Sequence, residues 1–453
     1  MSRPQRHSRF ESGDDVIVMK FGGTSVEDAA AVRRLIAIVL SRAQSRLGAQ
    51  PVVVVSALAR VTDQLLEAGS ASVRGQLGAA LDLVRAMYVR HEQLADELIA
   101  GPTLRALESE LRSEFQALEH FLHELDGSRS PGLRLDFKSQ DRLLGFGECL
   151  AAKLISAALA EAGVGAAYVD ARASIVTDSH HGQANPLWEV TNQRLQDALS
   201  PLLESRLVPV LGGFIAADSG GVPTTLGRGG SDFTATIVGA AVGASRVEIW
   251  TDVDGVMTAD PKLCPDARVI RKMSFNEAAE LARCGAKVLH PATLVPAMRE
   301  NIPVHVLNSR RPLSIGTEIS VRVRTGDFVS AITAKSNVAA LEIEGREAVD
   351  SELLRDVYAV FDRYEYPVEW MAASRDCISL VVASAADLPG IAAELQGVAN
   401  LRWENHRALV SLVGEGTRRR PEIASRAFAA LSDMEARLLC QGASEGTISF
   451  LVD

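Results

Sequence analysis

Cysteine is scarce in this sequence, and its spacing does not suggest a disulfide framework. The 453 residues contain five cysteines, scattered along the chain and without a C-x-x-C pair. An odd and scattered set is typical of reduced thiols in the cytosol. We therefore predict cytoplasmic localisation and mostly structural thiols. The cysteines are Cys149, Cys264, Cys284, Cys377 and Cys440.

Long apolar runs and an excess of positive charge are also missing. No uninterrupted apolar run approaches the length of a transmembrane helix. The polar stretch 1–15 lacks the apolar core of a secretory signal, and we predict a disordered tail there. With 57 acidic and 47 basic residues the net charge is −10, which disfavours broad binding to nucleic acid or anionic membranes. We expect neither kind of partner.

The first apolar strand is followed by neither of the standard phosphate fingerprints, G-x-x-x-x-G-K-[ST] and G-x-G-x-x-G. The run Val16–Ser25 instead predicts a buried strand, a glycine turn and a helix start, with Ser25 and Asp28 as a capping box. Free amides at a helix start attract anions, and Lys20 adds a point charge. On these residues alone, a phosphate site and an ordinary turn are about equally favoured.

Alternating apolar strands and helices predict a parallel α/β sheet, and the length predicts two or three domains. Ligands of such sheets bind at the carboxyl ends of the strands, where we place Thr24, Ser56 and Thr62. The stretch Gln64–Leu125 has a helical period and no evident chemistry. Its histidines are expected on different helix faces or among solvated charges; they are His91, His120 and His123.

The densest cluster of unusual residues is Pro223–Asp232, where three glycines surround an arginine before a helix. Glycine permits close backbone approach, and the Arg228 guanidinium is a planar fork suited to a carboxylate or a phosphate. Asp232 is suited to holding a lysine or a magnesium-bound water. We favour a functional loop here over a simple connector.

Several single residues leave two interpretations open. Glu148 follows a glycine pair at an expected helix start, so it is either a favourable first-turn acid or an acceptor for a substrate ammonium. Lys287 beside Gly285 is a second phosphate candidate. The adjacent His180 and His181 are expected to be exposed.

After a predicted linker at 322–327 the pattern changes to a small α+β unit that occurs twice. Neither copy carries an evident catalytic cluster, so binding or assembly is the expected role. The first copy comprises Val329–Ile343, Val357–Arg363, Val368–Met371 and Ile378–Val382. The second comprises Ala408–Val413, Ile423–Leu431, Arg437–Cys440 and Ile448–Val452.

Four ordered motifs make nearly the whole chain resemble the aspartate kinases. They are Lys20–Ser25, Thr224–Asp232, Trp250–Gly255 and Gly285–Pro291. The resemblance implies an α/β fold: a three-layer αβα amino-acid kinase domain at 16–320, then two α+β ferredoxin-like ACT domains. The ACT domains are expected at 328–395 and 396–453, the second truncated or interleaved with the first.

The implied reaction is ATP plus L-aspartate to ADP plus 4-phospho-L-aspartate, the first step towards lysine, threonine, methionine and diaminopimelate. The resemblance also implies Mg²⁺ without a direct protein ligand, amino-acid feedback and a homodimer through the ACT domains. Because the chain stops on a strand, the kinase half of a fusion with homoserine dehydrogenase or diaminopimelate decarboxylase is an alternative. Two others are a different amino-acid kinase and a regulatory binding protein with a decayed kinase site.

The resemblance assigns roles residue by residue. Lys20 and Asp232 are catalytic. The aspartate-binding residues are Ser56, Thr62, Glu148, Phe214, Arg228 and Ser231. The ATP-binding residues are Lys20, Gly22, Gly23, Thr24, Thr251, Asp252, Met257, Lys262 and Lys287.

This chain also departs from the family pattern. Met257 replaces a common tyrosine and Lys262 a common arginine, which puts the strength of nucleotide binding in question. Effector contacts fall on Val368 and Glu369, but Arg375 would repel a lysine side chain. The effector is therefore lysine, threonine, both or neither.

Overall fold

The computed structural model describes residues 15–44, 48–127, 134–286, 289–321, 323, 329–345, 348–385, 387–417, 420–432, 438–440 and 446–453. The predicted N-terminal tail, most of the predicted linker and Lys287 lie outside these residues. The chain divides into two compact units. The first takes in the described parts of 1–256, 269–275 and 288–323; the second takes in those of 257–268, 276–287 and 324–453.

The strands, in chain order, are β1 Val16–Phe21, β2 Gln50–Val55, β3 Ala166–Val169, β4 Val176–Thr177, β5 Val208–Gly212, β6 Ile215–Asp218, β7 Pro223–Thr225, β8 Arg246–Thr251, β9 Lys272–Ser274, β10 Val304–Asn308, β11 Thr317–Ser320, β12 Ala331–Glu344, β13 Val368–Ala373, β14 Cys377–Ala383, β15 Asn400–Val413, β16 Leu438–Cys440 and β17 Thr447–Val452.

The α-helices are α1 Ala29–Ala43, α2 Val61–Val73, α3 Leu77–Leu98, α4 Gly101–Gly127, α5 Phe137–Glu161, α6 Ala171–Ser174, α7 Trp188–Glu204, α8 Gly230–Val242, α9 Phe275–Arg283, α10 Val295–Glu300, α11 Ser351–Arg363, α12 Leu388–Val398 and α13 Pro421–Ala430.

The first unit is built on an eight-stranded sheet in the order β3-β5-β2-β1-β8-β10-β11-β9, with every pair parallel except β10–β11. Its central strands are buried on both faces, as apolar runs such as Val52–Val55 predict. A three-stranded sheet, β4-β6-β7, leads the chain from β5 towards α8. The predicted parallel α/β fold is confirmed.

The helical stretch predicted at Gln64–Leu125 corresponds to α2, α3 and α4. Of the two expected placements, the one among solvated charges is wrong for His91, because this side chain is fully buried and its Nδ1 donates to the Met87 carbonyl at 2.7 Å. Burial lowers the pKa of His91 to about 4, so the ring is neutral and belongs to the core.

Two predicted helix starts are also wrong. The residues Gly23–Ser25 form a 3₁₀ turn, and α1 begins later with Asp28 as its N-cap, accepting from the Ala31 amide at 2.7 Å. Helix α5 begins after Asp136, so Glu148 lies well inside it. Glycine suits position 147 although it lies mid-helix, because the helix passes close to Ala57. A Cβ on Gly147 would lie only 3.0 Å from the Cβ of Ala57.

Helix α5 is long and apolar enough to cross a membrane by length and composition, with a mean hydropathy of 1.6. However, 83% of that apolar window is buried inside the fold. Its residues pack in the core of the first unit, so we interpret α5 as a core helix.

The second unit contains a six-stranded antiparallel sheet in the order β13-β14-β12-β15-β17-β16. The two long strands β12 and β15 lie side by side at its centre. Helices α11 and α12 pack on one apolar cluster, and α13 packs beside β17. This matches the predicted strand, helix, strand, strand order of each repeat. The domain boundaries at 16–320, 328–395 and 396–453 stay a prediction.

Candidate active site

A cavity of about 600 Å³ in the first unit brings most of the predicted site residues together. Its walls come from the carboxyl ends of β1 and β2, from α2 and α5, and from the loop that enters α8. The predicted residues that line it are Lys20, Gly23, Ser56, Thr62, Glu148, Phe214, Arg228, Ser231 and Asp232.

Lys20 and Asp232 form an ion pair at one wall of the cavity. The Lys20 Nζ lies 2.6 Å from the Asp232 Oδ1, and both side chains are nearly buried. Lys20 projects from the end of β1, and Asp232 from the first turn of α8. The ammonium is therefore held beside a helix N-terminus, where backbone N–H groups also favour negative charge.

The glycine turn after β1 supports this wall. Gly22 lies beside the Lys20 ammonium, since a Cβ there would be 3.6 Å from Nζ. Its N–H donates to the Trp250 carbonyl at 3.2 Å, so this amide is already engaged. Thr24 lies in the 3₁₀ turn and does not line the cavity.

The entrance to α8 is packed against the turn after β5. A Cβ at Gly213 would lie 2.7 Å from the Ser231 Cβ, so glycine is required for this approach. The Ser56 hydroxyl donates to the Ser231 hydroxyl at 3.0 Å. Phe214 has a left-handed backbone (φ 68°), and its N–H donates to the Thr234 hydroxyl. The close packing fixes Ser231 and Asp232 together.

Arg228 lies on the exposed part of this loop, between two glycines with φ of 72° and 74°. L-residues with side chains rarely adopt this left-handed conformation, which explains the glycines on both sides of Arg228. The guanidinium is thus presented to the cavity by a sharply turned backbone.

Glu148 supplies a buried carboxyl group to the same cavity. Its Oε1 accepts from the Ala57 N–H at 3.3 Å, and its Oε2 has no hydrogen-bond partner among the described residues. Burial raises the pKa of Glu148 to about 8. Glu148 lines the cavity, and in its ionised form its carboxylate is suited to receive a cation.

Asp141 also lines the cavity, and the sequence interpretation missed it. It is 1% exposed and accepts hydrogen bonds from Thr225, His181 and the Gly182 amide. His181 is therefore not the exposed residue that was expected. The available signal was spacing: Asp141 lies seven residues before Glu148, on the same helix face.

Two predicted nucleotide positions lie at the end of β8 in the first unit: Thr251 is its last residue, and Asp252 follows it. Asn308 and Ser309, which carry no motif, hold this strand end: the Asn308 amide donates to the Asp252 carbonyl, and the Ser309 hydroxyl to the Thr251 carbonyl. Ser25 donates to the Ser309 hydroxyl at 2.8 Å. These bonds join the ends of β8 and β10 to the turn after β1.

The other three predicted nucleotide positions are not among the residues that line this cavity. Met257 and Lys262 belong to the second unit, with Met257 half-buried and Lys262 exposed. Lys287 lies outside the described residues. Among the residues described, no group of three or more His, Cys, Asp or Glu side chains is arranged to hold a metal ion.

The two predicted effector residues have different surroundings. Val368 lines a cleft of about 650 Å³ beside α11, whereas Glu369 does not line it and forms an ion pair with Lys335. The pairing of β13 with β14 is irregular between Val368 and Trp370. The structure therefore does not bring the two side chains together in one cleft.

Comparisons with known proteins match both parts of the chain. The amino acid kinase family matches residues 15–308, and the ACT domain matches residues 410–453. The lysine-sensitive aspartokinase 3 of Escherichia coli is 33% identical over 450 residues, which cover 97% of this chain and 96% of that protein.

Two solved aspartokinase structures are also similar to nearly the whole chain. The crystal structure of E. coli aspartokinase III with aspartate and ADP, termed the R-state, has a TM-score of 0.82 and 30% identity, covering 97% of this chain and 96% of that one. The structure of the same enzyme with lysine and aspartate, termed the T-state, has a TM-score of 0.81 and 30% identity, covering 96% of each chain.

Proposed function

The chain belongs to the amino acid kinase family, among its aspartokinases, and from that premise we propose how it transfers the terminal phosphoryl group of ATP to the side-chain carboxylate of L-aspartate. The products are ADP and 4-phospho-L-aspartate. The observation that carries the proposal is the cavity that holds Lys20–Asp232 together with Glu148 and Arg228.

Phosphate binds at the wall formed by Lys20 and the start of α8. Negative charge on the transferring group is offset by the Lys20 ammonium and by the free amides of the helix start. Asp232, 2.6 Å from Lys20, orients that ammonium. The turn at Gly22 and Gly23 brings backbone close to the phosphates.

L-Aspartate binds across the rest of the cavity. The buried Glu148 takes its ammonium through the oxygen that lacks a partner, and Arg228 takes its α-carboxylate. Thr62, Phe214 and Ser231 complete the walls, and Ser56 lies near the transferred group through its bond to Ser231. A free aspartate side chain has a pKa near ~4 and is already ionised at neutral pH, so the reaction requires no general base.

ATP enters as the Mg²⁺ complex. Mg²⁺ prefers oxygen ligands and usually keeps several waters, so Asp232 beside Lys20 is suited to hold a magnesium-bound water. When bound, the ion neutralises charge on the phosphate oxygens. We assign the nucleotide to Thr251, Asp252, Met257, Lys262 and Lys287 on the basis of the resemblance.

The second unit is assigned to regulation. The E. coli relative has been solved with lysine, and the matching ACT segment supports an amino-acid effector for this chain, lysine or threonine. The adjacent central strands β12 and β15 support two interleaved ACT domains. We further propose a cytoplasmic homodimer, because β13 is an edge strand of the described sheet and its free backbone groups suit pairing with a second copy.

ADP release in a coupled assay with Mg-ATP tests the proposed reaction. L-Aspartate should stimulate release, whereas L-glutamate, N-acetyl-L-glutamate, carbamate and UMP should not. Stimulation by one of those compounds instead would assign a different amino-acid kinase, and no stimulation by any would indicate a decayed site. Addition of lysine and of threonine in the same assay identifies the effector.

A further inference from the structure

We propose that Asp141 is a positioning residue that fixes Arg228 and thereby sets recognition of the α-carboxylate of the substrate. The inference rests on the proposed function and extends it to a residue that no motif marks. Asp141 acts on Arg228 indirectly, because it holds the two segments that support the Arg228 loop.

The buried Asp141 carboxylate accepts hydrogen bonds from three residues. Its Oδ1 accepts from the Thr225 hydroxyl at 2.5 Å, and its Oδ2 lies 2.8 Å from the His181 Nδ1. The Gly182 N–H donates to both oxygens, at 3.2 and 3.0 Å. Because a carboxylate only accepts, each of these groups must present a hydrogen to Asp141.

One anchored segment continues along the chain to Arg228. Thr225 is the last residue of β7, three residues before Arg228. The Ala184 N–H also donates to the Thr225 carbonyl at 2.9 Å, which ties the two segments to each other. Thr225 is thus held through its hydroxyl by Asp141 and through its carbonyl by the segment at 181–184.

The second contact is made by packing at Gly227. A Cβ on Gly227 would lie 3.1 Å from the Gln183 Cγ and 3.3 Å from the Gly182 carbonyl oxygen. The segment that Asp141 holds is therefore pressed against the residue before Arg228. Since the backbone at Gly227 is intrinsically free, this packing fixes the backbone position from which Arg228 projects.

The test compares L-aspartate with its α-amide, L-isoasparagine, which keeps the side-chain carboxylate but lacks the α-carboxylate. The variants are Asp141→Asn and Thr225→Val, which are close to isosteric. Wild type should prefer L-aspartate in kcat/KM by about 10-fold to 100-fold, the worth of a charged hydrogen bond. Each variant should reduce that preference by at least ~5-fold and leave the KM for ATP within about twofold.

A merely structural role predicts a different result. The matched control is Ser72→Ala, which removes another buried hydrogen bond of the same unit, from the Ser72 hydroxyl to the Leu122 carbonyl. It should lower the melting temperature without changing the substrate preference. An unchanged preference in folded Asp141→Asn or Thr225→Val, with wild type active on aspartate, overturns the role of Asp141. Wild type inactive on aspartate overturns the proposed function itself.

Discussion

The cavity of the first unit and the cleft beside α11 in the second unit have similar volumes, about 600 and 650 Å³, but their charged groups differ. In the first unit, Glu148 is buried with a spare oxygen, and Lys20 is held by Asp232. In the cleft, Arg355 is exposed and pairs with Glu352 and Asp356 on its own helix. A buried ionisable group that is only partly satisfied and a nearly buried ion pair mark the site of chemistry, whereas solvated local pairs do not.

The largest effect is expected from substitutions in the wall of the first-unit cavity that is formed by Lys20 and the start of α8. Lys20→Ala and Asp232→Ala should each lower kcat by more than ~10²-fold, because each removes or misplaces charge that stabilises the transferring phosphoryl group. Steady-state ADP release at saturating aspartate measures the change. Near-normal turnover in a folded variant would refute the role of that residue.

The next effect separates substrate binding from chemistry. Glu148→Gln should raise the KM for aspartate by about 10-fold to 100-fold, because the substrate ammonium loses a charged hydrogen-bond partner. The KM for ATP should change little, since Glu148 is assigned only to the amino acid. Initial rates over both substrates give the two constants, and an equal rise in both would contradict the assignment.

The buried Glu148 also predicts a pH dependence. Its pKa of about 8 in the free enzyme means that the carboxyl is largely neutral at pH 6, while ammonium binding requires the ionised form. The KM for aspartate should therefore fall as pH rises from 6 to 8, by up to about tenfold per unit. Glu148→Gln should abolish this slope; a wild-type KM independent of pH would contradict the account.

The same group affects stability with a definite sign. Between pH 4.5 and about 8 the folded state keeps a proton on Glu148 that the unfolded state has released. Stability of the substrate-free enzyme therefore falls as pH rises through this window. The melting temperature of the wild type should fall as pH rises over this range. The melting temperature of Glu148→Gln should depend less steeply on pH.

The smallest effect concerns the second unit. The Lys335 ammonium occupies Glu369, so Lys335→Met should free that carboxylate for an effector ammonium. We expect the apparent affinity for the inhibitory amino acid, whether lysine or threonine, to rise by about twofold to fivefold, the worth of a partly exposed pair, with uninhibited activity unchanged. Methionine keeps the unbranched stem that packs beside Gly285. No change in the inhibition curve would remove Glu369 from the effector site.

The sequence predicted those features that depend on local pattern. Apolar runs such as Val52–Val55 predicted buried parallel strands, and the glycine-rich stretch Pro223–Asp232 predicted a functional loop at a helix start. The structure places Lys20, Arg228 and Asp232 around one cavity. Their catalytic and binding roles stay predictions.

Other features depended on tertiary contacts that no local pattern records. Gly147 predicted a turn but lies inside α5, because the helix must approach Ala57 closely. His91 was expected on a separate helix face or among solvated charges, and it is fully buried. Asp141 has no motif, since its hydrogen-bond partners lie 40 to 84 residues away in the sequence.

The surroundings of the two predicted effector residues were also not predicted from the sequence. Val368 and Glu369 are adjacent in sequence, yet only Val368 lines the cleft. Successive side chains of a strand point to opposite faces of the sheet, which separates these two residues. The pairing of β13 with β14 is also irregular between Val368 and Trp370.

The central claim is that the first-unit cavity directs phosphoryl transfer to the side-chain carboxylate of L-aspartate. Trapping the product with hydroxylamine tests this most directly, because an acyl phosphate yields a hydroxamate at the carboxyl group that was phosphorylated. The account predicts β-aspartyl hydroxamate in equal amount to the ADP formed. ADP release without hydroxamate, or with the α-hydroxamate, would contradict it.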